Sequence, residues 1–438
     1  MHQQRRVVIT GMGAICPLGS TIEQLWDGLV SGRSGVSLLT DPGAAGLPVR
    51  FAAQAAEFTG KIECFGPLDN EQKKAIRKGL KVMCRECQMG VAVAQLALGD
   101  AGIAPGSLDP TRTGINFGVD YMLSVPEEFI EGIRGSLGAD GRFEFEHWPG
   151  RGIPQMSPLW LLKYLPNMPA SHLAIYNDLR GPNNSITQRE ASANMAIGEA
   201  THLIAEGRAD RMLAGATGTR LHNMKMIHCV QQGELASPAA APAQASRPFD
   251  RDRTGMVLGE GAGAIMLEEI DAARSRGATI HGEVLGAAST SAIGPNLTAR
   301  PREALVNALR AVLADAGMTP EEVGHIHAHG LATRSSDVAE AQAIVEVFGS
   351  RKTPVPVVTA KGHLGNLGAG SGMIELVASV LALRQNRLFS VLNYETPDPE
   401  CPILVANGRP LPPGDTFINL SVTPQGQASA VLVGRGRD

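Results

Sequence analysis

Aromatic residues are scarce, at 4% of the 438-residue chain, and neither sign of charge dominates: 39 Lys and Arg stand against 43 Asp and Glu. The near balance leaves composition with no case for nucleic acid or an anionic membrane as a partner. Long hydrophobic runs are missing too. None approaches the roughly 20 residues that a helix needs to span a bilayer. Cysteine is sparse: Cys16, Cys64, Cys84, Cys87, Cys229 and Cys401. In a chain of this size without a secretory signal, these are expected as reduced thiols in a cytosolic compartment. The polar start, Met1 to Arg6, lacks the apolar core of a signal peptide. The expectation is a cytoplasmic protein with no membrane contact.

What the chain has in quantity is glycine and alanine, which suit helices packed closely on sheets. It also has the length for two lobes around a large buried core. Residues 5–10 (RRVVIT) are a β-branched run ending at Gly11 and predict a buried strand. Ser20 and Glu23 suggest a capping box ahead of a helix over 22–30. Residues 71–101 predict one long helix, with Gly79, Gly90 and Gly99 as its weak points. Residues 191–205 are poor in charge and predict a mostly buried helix. Further strands are expected over 211–214, 262–267, 325–329, 356–359, 416–419 and 428–433, and helices over 302–316, 337–348 and 371–383. Strands alternating with helices argue α/β layers. The Ala/Pro-rich stretch 236–245 marks a seam between two similar halves, 1–250 and 251–438.

Three segments carry residues suited to chemistry. In Ser185-Ile186-Thr187-Gln188-Arg189-Glu190-Ala191-Ser192, a strand-like run turns into an Ala-rich helix at Glu190. A helix N-terminus favours negative charge through its free N–H groups and macrodipole. The bland reading is an ordinary acidic residue of a first helical turn. In His325-Ile326-His327-Ala328-His329-Gly330, three alternating histidines share one strand face. They are either a metal site lacking an acidic or thiol ligand, or one functional histidine at the strand's C-terminal end. The Gly-dense Lys361-Gly362-His363-Leu364-Gly365-Asn366-Leu367-Gly368 precedes a buried helix but lacks the Gly-Lys-Ser/Thr ending of a nucleotide loop. Cys84 and Cys87 form a lone CxxC inside the long helix and read as structural.

Several further segments occur in a fixed order from residue 5 to about 435. They are Val7-Val8-Ile9-Thr10-Gly11-Met12-Gly13 with Pro17-Leu18-Gly19, then Leu165-Pro166-Asn167-Met168 and Gly181-Pro182-Asn183. Arg247-Pro248-Phe249-Asp250 through Gly255 and Gly259-Glu260-Gly261-Ala262-Gly263 follow, then Ala328-His329-Gly330 with Asp337 and Glu340, then Lys361 and Gly365. As an ordered set they resemble the β-ketoacyl-ACP synthases, the condensing enzymes that elongate acyl chains on acyl carrier protein. The resemblance implies an α/β thiolase fold with five layers, α-β-α-β-α, in two related halves. It also implies a homodimer, or a heterodimer with another ketosynthase, and neither cofactor nor metal. The first half, 1–250, carries Glu190; the second, 251–438, carries His329, Lys361 and Asn366.

In that family a cysteine at a helix N-terminus takes the acyl chain, and two histidines help to decarboxylate malonyl-ACP. The resemblance puts Glu190 at the cysteine position, His329 at the first histidine and Asn366 at the second. Lys361 matches the supporting lysine, and Glu340 the acidic partner near Asp337. The loop that gates the acyl pocket falls near 421–426, where Thr423 and Pro424 replace the family's phenylalanine and paired glycines. Residues 126–154 look like an insertion on the pocket side.

A carboxylate cannot hold an acyl group as a workable thioester, so Cys-dependent condensation is expected to be lost. Three readings follow. The first is a malonyl-ACP decarboxylase or modified acyltransferase in fatty acid or polyketide metabolism, with His329 and Asn366 stabilising an enolate and a protonated His329 neutralising Glu190. The second is a Glu190 general base for non-decarboxylative chemistry, if burial raises its pKa. The third is an inactive partner of a true ketosynthase, like the chain-length factors of polyketide synthases. Lys73, Lys74, Arg77, Lys78 and Lys81 read as a solvated face, or else as a docking patch for an acidic carrier-protein helix.

Overall fold

The structure, a computed structural model, describes residues 5–40, 46–232 and 234–436; of the polar start, residues 1–4 lie outside the described residues. The first seven strands are β1 (Val7–Ile15), β2 (Val36–Leu38), β3 (Phe51–Ala53), β4 (Thr113–Val119), β5 (Asn183–Thr187), β6 (Arg211–Thr219) and β7 (Glu260–Glu269). The rest are β8 (Gly282–Ser291), β9 (His325–His327), β10 (Pro356–Val358), β11 (Leu404–Val405), β12 (Thr416–Val422) and β13 (Gln427–Arg435). β2 and β3 pair with each other, and the other eleven form one hydrogen-bonded sheet in the order β11-β10-β9-β12-β13-β8-β1-β7-β6-β4-β5.

That order contains a repeat. In β1-β7-β6-β4-β5 two antiparallel pairings are followed by two parallel ones. β8-β13-β12-β9-β10 does the same. The copies join where Val7, Val8 and Ile9 of β1 pair with Val284, Glu283 and Gly282 of β8. The second copy therefore starts at Gly282, and β7 is hydrogen-bonded into the first. The Ala/Pro-rich stretch 236–245 precedes β7, so it lies within the first copy and not at the junction. The expected boundary at 250 moves to between Glu269 and Gly282.

Helices Ser192–Ala205 and Gly370–Arg384 lie between the two half-sheets. The first packs on β4 and β6 and also on β8 and β13; the second packs on β6 and β7 and also on β12. Helix Arg85–Asp100 covers the outer face of the first half, on β1, β6 and β7, and helix Pro301–Asp315 that of the second, on β8 and β13. The layers thus run α-β-α-β-α. From Gly370 to Leu383 every residue is buried, which explains an all-round apolar sequence there. Each large apolar side chain so removed from water contributes about 1.5–3 kcal/mol. Buried amides pin the other central helix to the second half: Asn419 Nδ2 donates to Asn194 Oδ1 at 2.8 Å, and Asn194 Nδ2 to the Asn419 carbonyl at 3.1 Å.

Some local expectations change. The helix expected over 71–101 is two helices, Asn70–Gly79 and Arg85–Asp100, separated by a 3₁₀ turn, Leu80–Val82, and an extended Met83. The Tyr176 hydroxyl presses on Gly79, only 1.8 Å from where a Cβ would be, and Cys84 starts the second helix. Helix Ile22–Val30 is capped by Thr21, whose hydroxyl accepts from Gln24 N, while Ser20 N donates to Gln24 Oε1; Ser20 and Glu23 form no capping box. β9 ends at His327, which leaves His329 in a loop. Among the described residues no helix is long and apolar enough to cross a membrane.

Candidate active site

Both halves aim the C-terminal ends of their parallel strands at one region, where α/β folds gather functional groups. Asp120 directly follows β4, Arg220 directly follows β6, and Glu190 lies three residues past β5. From the second half, His329 lies two residues past β9, Lys361 three past β10, and Thr423 directly after β12.

Glu190 sits in a single 3₁₀ turn, Arg189–Ala191, that leads into helix Ser192–Ala205. Arg189 before it has φ 53°, a left-handed conformation that costs a side-chain-bearing residue on the order of 1–3 kcal/mol. The turn buries Glu190 to 2% exposure. There its Oε1 accepts from Arg220 Nη2 at 2.5 Å and from Asn366 Nδ2 at 3.2 Å. Its Oε2 lies 3.5 Å from Arg189 Nε. Arg220 is itself fully buried and touches a second carboxylate, Asp120 Oδ2, at 2.7 Å from Nη1; that approach is ionic, without hydrogen-bond geometry. Two carboxylates and two guanidinium groups therefore form a cluster with no net charge.

Electrostatics follow from this arrangement. Burial opposes ionisation of Glu190, but Arg220 and Arg189 outweigh it and hold the carboxyl well below the usual carboxylate range. Burial and the neighbouring Lys361 ammonium push His329 well below the usual imidazole range. His329 is therefore neutral, and Arg220, not the expected imidazolium, balances Glu190. The raised Glu190 pKa on which the general-base reading depends is absent for the same reason.

His329 belongs to a second network. Lys361 Nζ donates to the His329 carbonyl at 2.7 Å, lies 3.2 Å from His329 Nδ1, and pairs with buried Glu375. Glu340 accepts from His329 N at 2.6 Å and Gly330 N at 2.8 Å. Burial, against those two N–H donors, pushes its carboxyl up to about 8. Asp337 accepts from Phe249 N at 2.8 Å and Ala332 N at 3.0 Å, and burial pushes it up to about 7. Both carboxylates hold backbone in place.

Glu190, Asn366, Thr423 and Pro424 share a cavity of about 300 Å³ with Arg189, Arg220, Met256 and Leu331. His329, Lys361, Asp337 and Glu340 do not line it, and neither does any residue of 126–154, expected on the pocket side. His325 and His327 are held by Ser379 Oγ at 3.1 and 2.8 Å; their other ring nitrogens meet the Pro413 carbonyl and Ala360 N. Among the described residues no group of three or more His, Cys, Asp or Glu is placed to hold a metal. The basic residues of helix Asn70–Gly79 and Lys81 are exposed, except for half-buried Lys73.

Sequence reasoning missed Asp120, Arg220 and Glu375. For the first two a signal existed: each is a charged residue closing an apolar run, NFGVD and GATGTR, at the end of a strand. Nothing local tied either to Glu190.

The family model for the N-terminal domain of beta-ketoacyl synthase matches residues 4–273, and the one for its C-terminal domain residues 281–395. The chain is 33% identical over 410 residues to a 3-oxoacyl-[acyl-carrier-protein] synthase 2 of Synechocystis, covering 93% of this chain and 92% of that one. It is 32% identical to the protein of the same name from Coxiella burnetii, covering 91% of each. Among solved structures, a beta-ketoacyl synthase from Burkholderia phymatum superposes with a TM-score of 0.83 at 28% identity, covering 99% of this chain and 100% of that one. The ishigamide ketosynthase/chain length factor superposes with a TM-score of 0.81 at 27% identity and the same coverage. So, at 0.81 and 26%, does a chain from a type II PKS acyl-carrier protein in complex with its ketosynthase.

Proposed function

This chain belongs to the β-ketoacyl synthase family, with its thiolase fold, and we propose that it is a non-condensing member of fatty acid or polyketide metabolism, pairing with a cysteine-bearing ketosynthase. The observation that carries the reading is the neutral cluster of Glu190, Arg220, Asp120 and Arg189. The family's nucleophile would stand at Glu190, where a carboxylate is committed to a buried guanidinium. A carboxyl held so far below its usual range is a weak general base, which argues against proton abstraction by Glu190. The Asn366 amide N–H that would steady an enolate is donated to Glu190 instead.

Retention of His329, Lys361, Asp337 and Glu340 fits this reading. Each is bonded into the backbone or to a buried partner, and none is among the residues that line the cavity. Likeness to a ketosynthase/chain length factor pair supports a heterodimer, and likeness to a carrier-protein complex supports service to an acyl carrier protein docked on the active partner. Six free cysteines support a reducing, cytoplasmic setting.

Intact-mass assays with malonyl-ACP and acyl-ACP test the proposal, together with native mass spectrometry after co-expression with a cysteine-bearing homologue. The expected result is no acetyl-ACP, no acyl adduct and a one-to-one heterodimer. Conversion of malonyl-ACP to acetyl-ACP by the wild type, lost in His329→Ala, would make the chain a decarboxylase and end the non-catalytic reading.

A further inference from the structure

The Cys84–Cys87 pair does not lie inside a helix. Cys84 is the N-cap of helix Arg85–Asp100, and Cys87 lies three residues on, facing the same side. A third sulfur joins them from the segment that leaves β4. Cys84 Sγ lies 3.6 Å from Cys87 Sγ and 3.8 Å from Met122 Sδ, and Cys87 Sγ lies 3.9 Å from Met122 Sδ. The three atoms form a nearly equilateral triangle. Its centre is about 2.2 Å from each corner, close to the metal–thiolate distance of about 2.3 Å known for zinc.

We propose that Cys84, Cys87 and Met122 form a trigonal three-sulfur site for a soft monovalent cation, Cu(I). Two thiols and a thioether are the donor set that selects Cu(I) over harder ions. Zinc would require a fourth ligand, normally Cys, His or a carboxylate. The Lys163 carbonyl is 3.8 Å from Cys87 Sγ, and the Glu86 carboxylate beside Cys84 is already paired with Lys225 Nζ at 2.6 Å. The Cys87 thiol, burial and the neighbouring Glu86 carboxylate push the Cys84 thiol up, so the metal has to displace its proton. An entry path exists: Cys87 and Met122 are buried, while half-buried Cys84 also lines a cavity of about 420 Å³ with Arg85, Tyr164 and His222. Binding involves no change of oxidation state. Two S–H protons leave to solvent, two thiolate–copper bonds form, and the Met122 thioether donates a lone pair to the same ion.

Sulfurs at these separations are also in van der Waals contact, so plain core packing is the competing account, and the test separates the two. The reduced full-length chain is titrated without oxygen with Cu(I) against the chelator bicinchoninate. The wild type is expected to retain one equivalent, with three sulfurs near the copper by X-ray absorption. Cys84→Ser and Cys87→Ser should each lose it. Met122→Leu, close in shape, should weaken it by at least about tenfold, a loss that even outer-shell changes to metal sites can produce. Cys64→Ser should behave as the wild type, and circular dichroism confirms that each variant is folded. Retention by the wild type no greater than by Cys84→Ser would overturn the proposal. So would Met122→Leu binding as tightly as the wild type, or a Cys84–Cys87 disulfide that reductant does not open.

Discussion

Arg220 is the residue on which the candidate site turns. It is buried between two carboxylates, and it converts Glu190 from a potential base into half of an ion pair. Breaking a buried pair by removing one partner costs about 3–5 kcal/mol, because the other charge stays buried. Arg220→Met should therefore destabilise the protein by about that amount in urea denaturation, with Glu190 and Asp120 left facing each other's charge. Glu190→Gln should cost less, since Arg220 keeps Asp120. The folded Glu190 carboxyl lies below its ordinary value of 4.5. Its contribution to stability is thus complete above that pH and fades as the pH falls toward the folded value. Glu190→Gln should flatten the acid limb of the stability–pH curve below about pH 4.5, measured by urea midpoints. Glu340 works in the opposite sense. Its folded pKa of about 8 lies above 4.5, so its contribution is present below pH 4.5 and is lost as the pH rises through about 8. The placement of Glu190 at a helix start was legible in the sequence, because an Ala-rich run follows a strand-like one. Its partner was not: Arg220 is 30 residues away, and only the parallel alignment of β5, β4 and β6 brings the two together.

At the level of elements, the site depends on how closely strands approach the loop carrying Asn366. A Cβ on Gly218 of β6 would lie 2.4 Å from the Leu367 carbonyl oxygen and 2.9 Å from Ala369 N. Gly218→Ala should push that loop outward, weaken the Asn366–Glu190 hydrogen bond and cost about 1–3 kcal/mol by the same denaturation assay. A cost below about 0.5 kcal/mol, the range of an ordinary surface change, would mean that the loop yields freely. Elements with a strong local pattern were legible in the sequence. Helix Ile22–Val30 and the central helix Gly370–Arg384 stand where periodicity and apolar content put them. The helix expected over 71–101 failed because propensity runs on through residues 80–84, and the break is imposed by a distant residue, Tyr176, pressing on Gly79. β4 and β8 were missed because their glycines, Gly114, Gly118, Gly282 and Gly286, dilute the strand signal.

For the whole molecule, the sheet ends on one side at β5, whose residues are exposed or half-buried and, among the described residues, pair only with β4. An uncovered edge of this kind invites another strand. Association through β5 is therefore expected, and Ile186→Lys, which places a charge on that edge, should shift the native mass toward a monomer. An unchanged mass would place the interface elsewhere. By itself, the sequence determined the family, the alternation of strands and helices, and the presence of a carboxylate, a histidine, an asparagine and a lysine at points where chemistry is expected. Those are properties of short ordered segments, and local pattern and composition are enough to specify them. Only the tertiary structure decided what these groups do to one another: that Glu190 is paired with Arg220, that His329 is bonded to Lys361 and does not line the cavity, and that three sulfurs from two segments of the chain meet. The physical reason is that charge, burial and hydrogen-bond geometry act over a few ångströms in space, and the residues they couple at Glu190 are separated along the chain by as many as 176 positions.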